Sequence, residues 1–176
     1  TMPWHAARAV DAGSSEAFAA EPDGYRMDDY RTPPLPATLK GATVLDNNAA
    51  HALWLTRTAA FIDVYPHAPK PANLPAGTLW REPPHYSIET AVWLANVGFG
   101  VLSPETEAYF KRYLEQLSGG QKTKPLVFFC LKNCWMSWNA AKRALSYGYT
   151  HVYWYPEGSD GWQEIGEIPA QIKPEP

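Results

Sequence analysis

Apolar residues in this chain gather in three short runs, and the intervals between the runs repeat their apolar positions at helical spacing. Ala59-Ala60-Phe61-Ile62-Asp63-Val64-Tyr65 is interrupted by one carboxylate and stopped by Pro66. Pro125-Leu126-Val127-Phe128-Phe129-Cys130 and Thr150-His151-Val152-Tyr153-Trp154-Tyr155 are the other two, the last stopped by Pro156. Runs of this length and composition read as strands, and the best of them are apolar on both faces. The intervals read as helices. One runs through Leu55 from Asp46 or Asn47, either of which can accept from the first free amides. Ile88 to Asn96 is predicted helical. Ser103, Pro104, Glu105 and Glu107 make a strong helix start: a capping hydroxyl, a proline where no N–H is needed, and carboxylates at the positive end of the dipole. Tyr109, Phe110, Tyr113, Leu114 and Leu117 continue it as an apolar stripe to Gly119-Gly120. A last helix is expected from Ser137 to Tyr147, with Trp138, Ala141, Ala144 and Leu145 inward and Gly148 after it. Strands alternating with helices predict a three-layer α/β/α domain around a central, mostly parallel sheet.

The polar and proline-rich segments set the boundaries. Residues 1–40 have no sustained period and read as an arm, with a short helix near Arg8 to Ala20 and with Tyr25, Met27 and Tyr30 laid on the domain. The compact domain is expected over 41–170, with 171–176 as a tail. Pro66 and the stretch from His67 to His85 together hold six prolines. This Pro-rich insertion predicts a long surface crossover, a type of loop that usually covers something.

Charge and size narrow the function classes. The 15 Lys and Arg against 18 Asp and Glu leave a net charge of -3, so no phosphate backbone is attracted in general and no nucleic-acid partner is expected. No run reaches the length of a membrane span. His51, His67, His85 and His151 lie on different elements without ligand spacing, and the glycines form no dinucleotide fingerprint. Neither a metal nor a cofactor is expected.

The chemistry is concentrated around the two cysteines, Cys130 and Cys134. In open α/β sheets ligands meet the carboxyl ends of strands, and Cys130 stands at such an end. If the backbone from Leu131 to Met136 curls over the following helix, its amides form an anion nest that favours a thiolate on Cys130, the expected nucleophile. Lys132, Asn133, Trp135, Met136 and Arg143 are candidate ligand or partner contacts; solvated or packed side chains are the alternative for each. Cys134 can close a disulfide with Cys130 or act as a resolving thiol. Asp63 is expected to be structural, bonding loop amides at the sheet edge. Glu157, Asp160 and Trp162 fall in a glycine-containing loop after the third strand, where they either border the pocket or seal the core.

These segments resemble the rhodanese-like domains. The match runs through Phe61-Ile62-Asp63-Val64, Val127-Phe128-Phe129-Cys130, the helix from Ser137 to Leu145, and Gly148 to Tyr153. More narrowly, Cys130-Leu131-Lys132-Asn133-Cys134-Trp135-Met136, followed by Trp154 to Trp162, is similar to the Cys/Cys-Trp motif proteins associated with pyrroloquinoline-quinone (PQQ)-dependent oxidation. The resemblance implies a periplasmic location and a PQQ-dependent alcohol dehydrogenase, or its electron carrier, as partner. It also implies a persulfide site at Cys130. Three features depart from the sulfurtransferase pattern, one of them Tyr65, which stands where a basic residue commonly follows the strand aspartate. The loop from Cys130 through Met136 has seven residues where six are usual, and Met136 replaces the closing arginine, so slow or absent transfer from thiosulfate to cyanide is expected. The main expectation is therefore an accessory protein that recognises a partner through the Cys130–Trp135 loop and aromatic surface at Trp135, Trp154 and Trp162. The alternative is a sulfurtransferase or thiol-redox enzyme with the persulfide on Cys130 and Cys134 resolving it.

Overall fold

The computed structural model describes residues 18–176. Five strands form one all-parallel sheet: β1 (Thr43–Val44), β2 (Ala60–Asp63), β4 (Val92–Trp93), β5 (Leu126–Phe129) and β6 (Val152–Tyr155), in the order β1-β6-β5-β2-β4. The register sets Phe61 beside Val127 and Asp63 beside Phe129, and continues from Phe129 to Tyr155. Side chains therefore alternate between two cores. Ile62, Leu126, Phe128, Val152 and Trp154 meet the face covered by α2 (Pro104–Ser118) and α3 (Trp135–Ser146). Phe61, Val127, Phe129 and Tyr155 meet α1 (Asn47–Thr56) and α4 (Gly158–Glu164) through Ala50, Trp54 and Trp162. All four residues of β5 are fully buried, as the unbroken apolar run requires, and this strand delivers Cys130 to the carboxyl edge. A second, two-stranded antiparallel sheet pairs β3 (His85–Ser87) with β7 (Ala170–Ile172).

The expected three-layer architecture is present, and the predicted caps are in place. Asp46 accepts from the Ala49 amide at 2.8 Å and Ser103 from Thr106 at 3.1 Å. Three local expectations differ. Ile88–Asn96 is not helical: a turn closes between Ile88 and Ala91, Thr90 takes a positive φ of 78°, and Val92–Trp93 join the sheet beside Ile62–Asp63. A short apolar run does not separate helix from strand, and pairing with β2 decided the matter. The helix after Cys130 begins at Trp135 rather than Ser137. The segment with Glu157, Asp160 and Trp162 is the helix α4, not a loop.

Residues 171–176 are more integrated than a tail, and the described part of the arm, 18–40, packs on the domain. Residues 171–176 include the end of β7, and Glu175 donates its amide to Trp93 O at 2.9 Å. Leu35 and Leu39 lie in the core, and Ala19 bridges to Pro36 in place of a helix there. The rest of the expected helix near Arg8 falls outside the described residues. No described helix is long and apolar enough to cross a membrane.

Candidate functional site

Cys130 leaves β5 at the carboxyl edge of the sheet, and the chain turns at Leu131–Asn133 to bring Cys134 back over it. Asn133 makes that turn with φ 60°, a conformation asparagine tolerates. The two sulfurs lie 2.8 Å apart and share a hydrogen bond. Both residues are free thiols and both are buried, at 1% and 2% exposure. The pair expected from the spacing is thus assembled, as a dithiol.

The two thiols differ in acidity. Burial pushes the Cys130 thiol well above its ordinary value of 9.0, and the neighbouring Cys134 sulfur and the Asp63 charge push the same way. Cys134 moves below 9.0, chiefly because Cys130 donates to its anion. The N–H groups of Met136 and Leu131 and the positive charge of Arg31 add to this, while burial opposes it. Cys134 is also the N-cap of α3, where the helix dipole favours negative charge. Its sulfur makes no cap of regular hydrogen-bond geometry, so the amides act on it as nearby dipoles. The loop amides expected to favour an anion at Cys130 serve both sulfurs: the Leu131 amide favours either anion, and the Met136 amide that of Cys134.

The loop is fixed from two sides. On one, Gly158 lies against the Cys130 carbonyl, where a Cβ would stand 2.1 Å from the oxygen. There the Ser159 amide donates to Cys130 O at 2.9 Å, and Asp160 accepts from the Lys132 amide at 2.9 Å. On the other, Tyr30 O accepts from the Trp135 amide at 2.7 Å, Thr32 O from the Trp135 indole at 3.2 Å, and Lys132 O from Arg31 at 3.1 Å.

The remaining candidates separate into surface and core. The Lys132 ammonium pairs with Glu157 at 3.1 Å and Glu164 at 2.8 Å. Arg143 is buried and donates to the carbonyls of Val97, Phe99 and Gly100; it ties the α3 face to the Gly98–Gly100 link and is not a ligand contact. Met136 is buried, its backbone so close to Gly98 that a Cβ there would clash. Trp135, Trp154 and Trp162 are all buried, so they form no exposed recognition surface. Packing against both sheet faces recruited these large rings.

Asp63 is buried at the sheet edge with its hydrogen-bonding partners in place. Its carboxylate accepts from the Tyr65 amide at 2.9 Å, His85 Nε2 at 2.7 Å and Ser87 Oγ at 2.6 Å. His85 stacks on Tyr65 with ring centroids 4.5 Å apart and packs against Trp93 at 4.4 Å. The partners His85 and Ser87, like Arg31, gave no signal at the level of sequence, because each acts through a fold-dependent contact, and Tyr30 was expected only to lie on the domain. A cavity of about 400 Å³ opens between the crossover and the start of α2, lined by Pro66, His67, Phe99 and Leu102 among others and not by the cysteines. Among the described residues, no three His, Cys, Asp or Glu side chains are grouped to hold a metal ion.

No family model matches the chain, and no curated protein does. Among solved structures, it is similar to an uncharacterized protein from Saccharomyces cerevisiae, with 17% identity over 71% of this chain and 93% of that one, at a TM-score of 0.42. It is also similar to the polysulfide-sulfur transferase homodimer from Wolinella succinogenes, with 19% identity over 74% and 79% of the two chains and a TM-score of 0.46.

Proposed function

We propose that this chain is a rhodanese-like domain that handles sulfur or disulfides through a dithiol, with Cys134 as the attacking thiolate and Cys130 as the resolving thiol. The observation behind the reading is the sulfur pair itself: 2.8 Å apart at the end of the central strand, with Cys134 at the N-cap of α3, where the helix dipole favours its anion. With a disulfide R–S–S–R, the Cys134 thiolate attacks one sulfur and RS⁻ leaves. That RS⁻ takes the proton of Cys130, whose sulfur then attacks Cys134 Sγ, closes the intramolecular disulfide and expels the second RS⁻. With a persulfide R–S–SH, the same thiolate takes the terminal sulfur as RS⁻ leaves, and attack by Cys130 releases that sulfur as HS⁻. Both routes run in the reverse order to a persulfide resident on Cys130. Met136 offers no guanidinium to steady thiosulfate, so thiosulfate is a poor donor.

Work in the periplasm beside a PQQ-dependent alcohol dehydrogenase or its electron carrier fits the same chemistry, because an oxidising compartment supplies disulfides. With the three tryptophans buried, such a partner would meet the dithiol rather than an aromatic surface. The direct test is incubation of the reduced protein with oxidised glutathione, followed by mass mapping. The wild type loses about two daltons across the peptide joining Cys130 and Cys134. Cys130→Ser traps glutathione on Cys134, and Cys134→Ser stays unmodified. Glutathione trapped on Cys130 in the Cys134→Ser protein at the wild-type rate would refute the assignment.

A further inference from the structure

We infer that residues 26–32 form a strap latched over the dithiol by Trp135, and that the thiols react only after this strap opens. The inference takes the dithiol of the proposed function as the site and adds how it is reached.

Both sulfurs are buried, so a reagent must displace one of the two walls of the loop. The α4 wall is tight: Gly158 has no room for a Cβ against Cys130 O, and the Ser159 amide holds the same carbonyl. The strap is built differently. It has no helix or strand of its own over residues 26–32, and its bonds are divided between itself and its anchors, among them the Gly100 amide, which donates to the Tyr30 hydroxyl at 3.0 Å. The Arg26 guanidinium donates to Asp28 O at 2.8 Å, and the Tyr30 hydroxyl donates to Met27 O at 2.9 Å. Asp29 turns the strap with a positive φ of 44°. A segment with internal bonds of this kind can leave as a unit.

Few bonds hold it down near the sulfurs, and two of them belong to one residue. Trp135 follows Cys134 directly and donates twice, from its amide to Tyr30 O and from its indole to Thr32 O. Arg31 supplies the third bond, to Lys132 O, and lies 3.7 Å from Asp160 with more than half of its side chain exposed. The Arg26 guanidinium packs over the Trp135 ring, 5.1 Å from its centroid. The tryptophan beside the second cysteine is thus a positioning residue: it touches neither sulfur's reaction partner, and it closes the strap. Further back, Asn139 anchors the start of the strap by exchanging bonds with the Arg26 amide and carbonyl, which makes that end the pivot.

The test is the rate of alkylation of the reduced protein by iodoacetamide at fixed pH, beside the urea midpoint of each protein. The wild type should react at least about a hundredfold more slowly than its urea-unfolded chain at the same pH, because only the open state is attacked. Arg31→Lys keeps the positive charge beside Cys134, loses the Nε–H bond to Lys132 O, and should react about fivefold faster, with the urea midpoint lowered by no more than that one bond is worth. Trp135→Phe keeps most of the ring packing, loses the indole bond, and should give a similar gain. Wild-type alkylation as fast as in the unfolded chain would overturn the strap, and so would rates that neither variant changes or that rise only with global unfolding. Alkylation needs no turnover, so this result stands apart from the glutathione experiment. A failed latch would leave the exchange reading intact.

Discussion

Two polar clusters stand side by side at the carboxyl edge of the same sheet, one after β2 and one after β5, and they use their bonding capacity differently. Around Asp63 every strong group has a partner: the carboxylate accepts from an amide, an imidazole and a hydroxyl, and the imidazole is held between two aromatic rings. Such a cluster holds the crossover and β3 to the sheet and has little left with which to react. The cysteine cluster has two sulfurs with one principal partner each, namely the other sulfur, beside amides that favour the anion of one of them. A buried group whose best partner is itself oxidisable is poised for chemistry. The difference is between saturation and residual reactivity, on equally buried ground.

Mutation can break that comparison at either cluster. Cys134→Ser should reduce disulfide exchange with oxidised glutathione by at least about a hundredfold, while a urea melt shifts by less than about 1 kcal/mol, because no bulky core group is lost. Asp63→Ala should do the opposite. Removing the carboxylate leaves His85 and Ser87 without their buried acceptor and should cost about 3 kcal/mol in the urea melt, with the order of cysteine reactivity unchanged.

Titration sharpens the contrast between the two thiols. Cys134 has a folded pKa below its unfolded value of 9.0, so its stabilising contribution is present above pH 9 and fades as pH falls through the folded value. Cys130 has a raised folded pKa, so the protein loses stability once pH climbs past 9.0. Stability relative to the Cys130→Ala, Cys134→Ala double variant should therefore rise toward pH 9 and fall beyond it, as followed by urea melts at stepped pH. A monotonic profile would mean that the two thiols do not split. The smallest effect belongs to Lys132→Ala. Its pairs with Glu157 and Glu164 lie at the surface and should contribute no more than about 1 kcal/mol, with exchange kinetics unaltered.

The strands and capped helices that frame the site were legible because each is specified locally: an apolar run ending at a proline, or a serine followed by proline and acids. Cys130 at a strand end and Cys134 within reach of it followed from the same reading. What stayed hidden depends on distant parts of the chain. The amide of Trp135 bonds to Tyr30, more than a hundred residues earlier, and no periodicity encodes that contact. Ile88–Asn96 looked helical because nine residues with mixed apolar spacing suit either period, and its partner strand decided the outcome. Lys132 and Arg143 were read as site cations from their proximity in sequence, yet one faces carboxylates at the surface and the other is consumed by three backbone carbonyls. For the two cysteines, strand-end position says which sulfur is held, whereas the helix amides beside Cys134, which favour its anion, show only in the folded chain.

The central claim is that Cys134 gives up its proton first and attacks. The most direct measurement is alkylation of the reduced native protein with substoichiometric iodoacetamide near pH 7.5, quenched early, with the modified cysteine located by mass mapping of the peptide that contains both. The account predicts the label on Cys134, with Cys130 essentially unlabelled until the protein is unfolded. A label found first on Cys130 would contradict it.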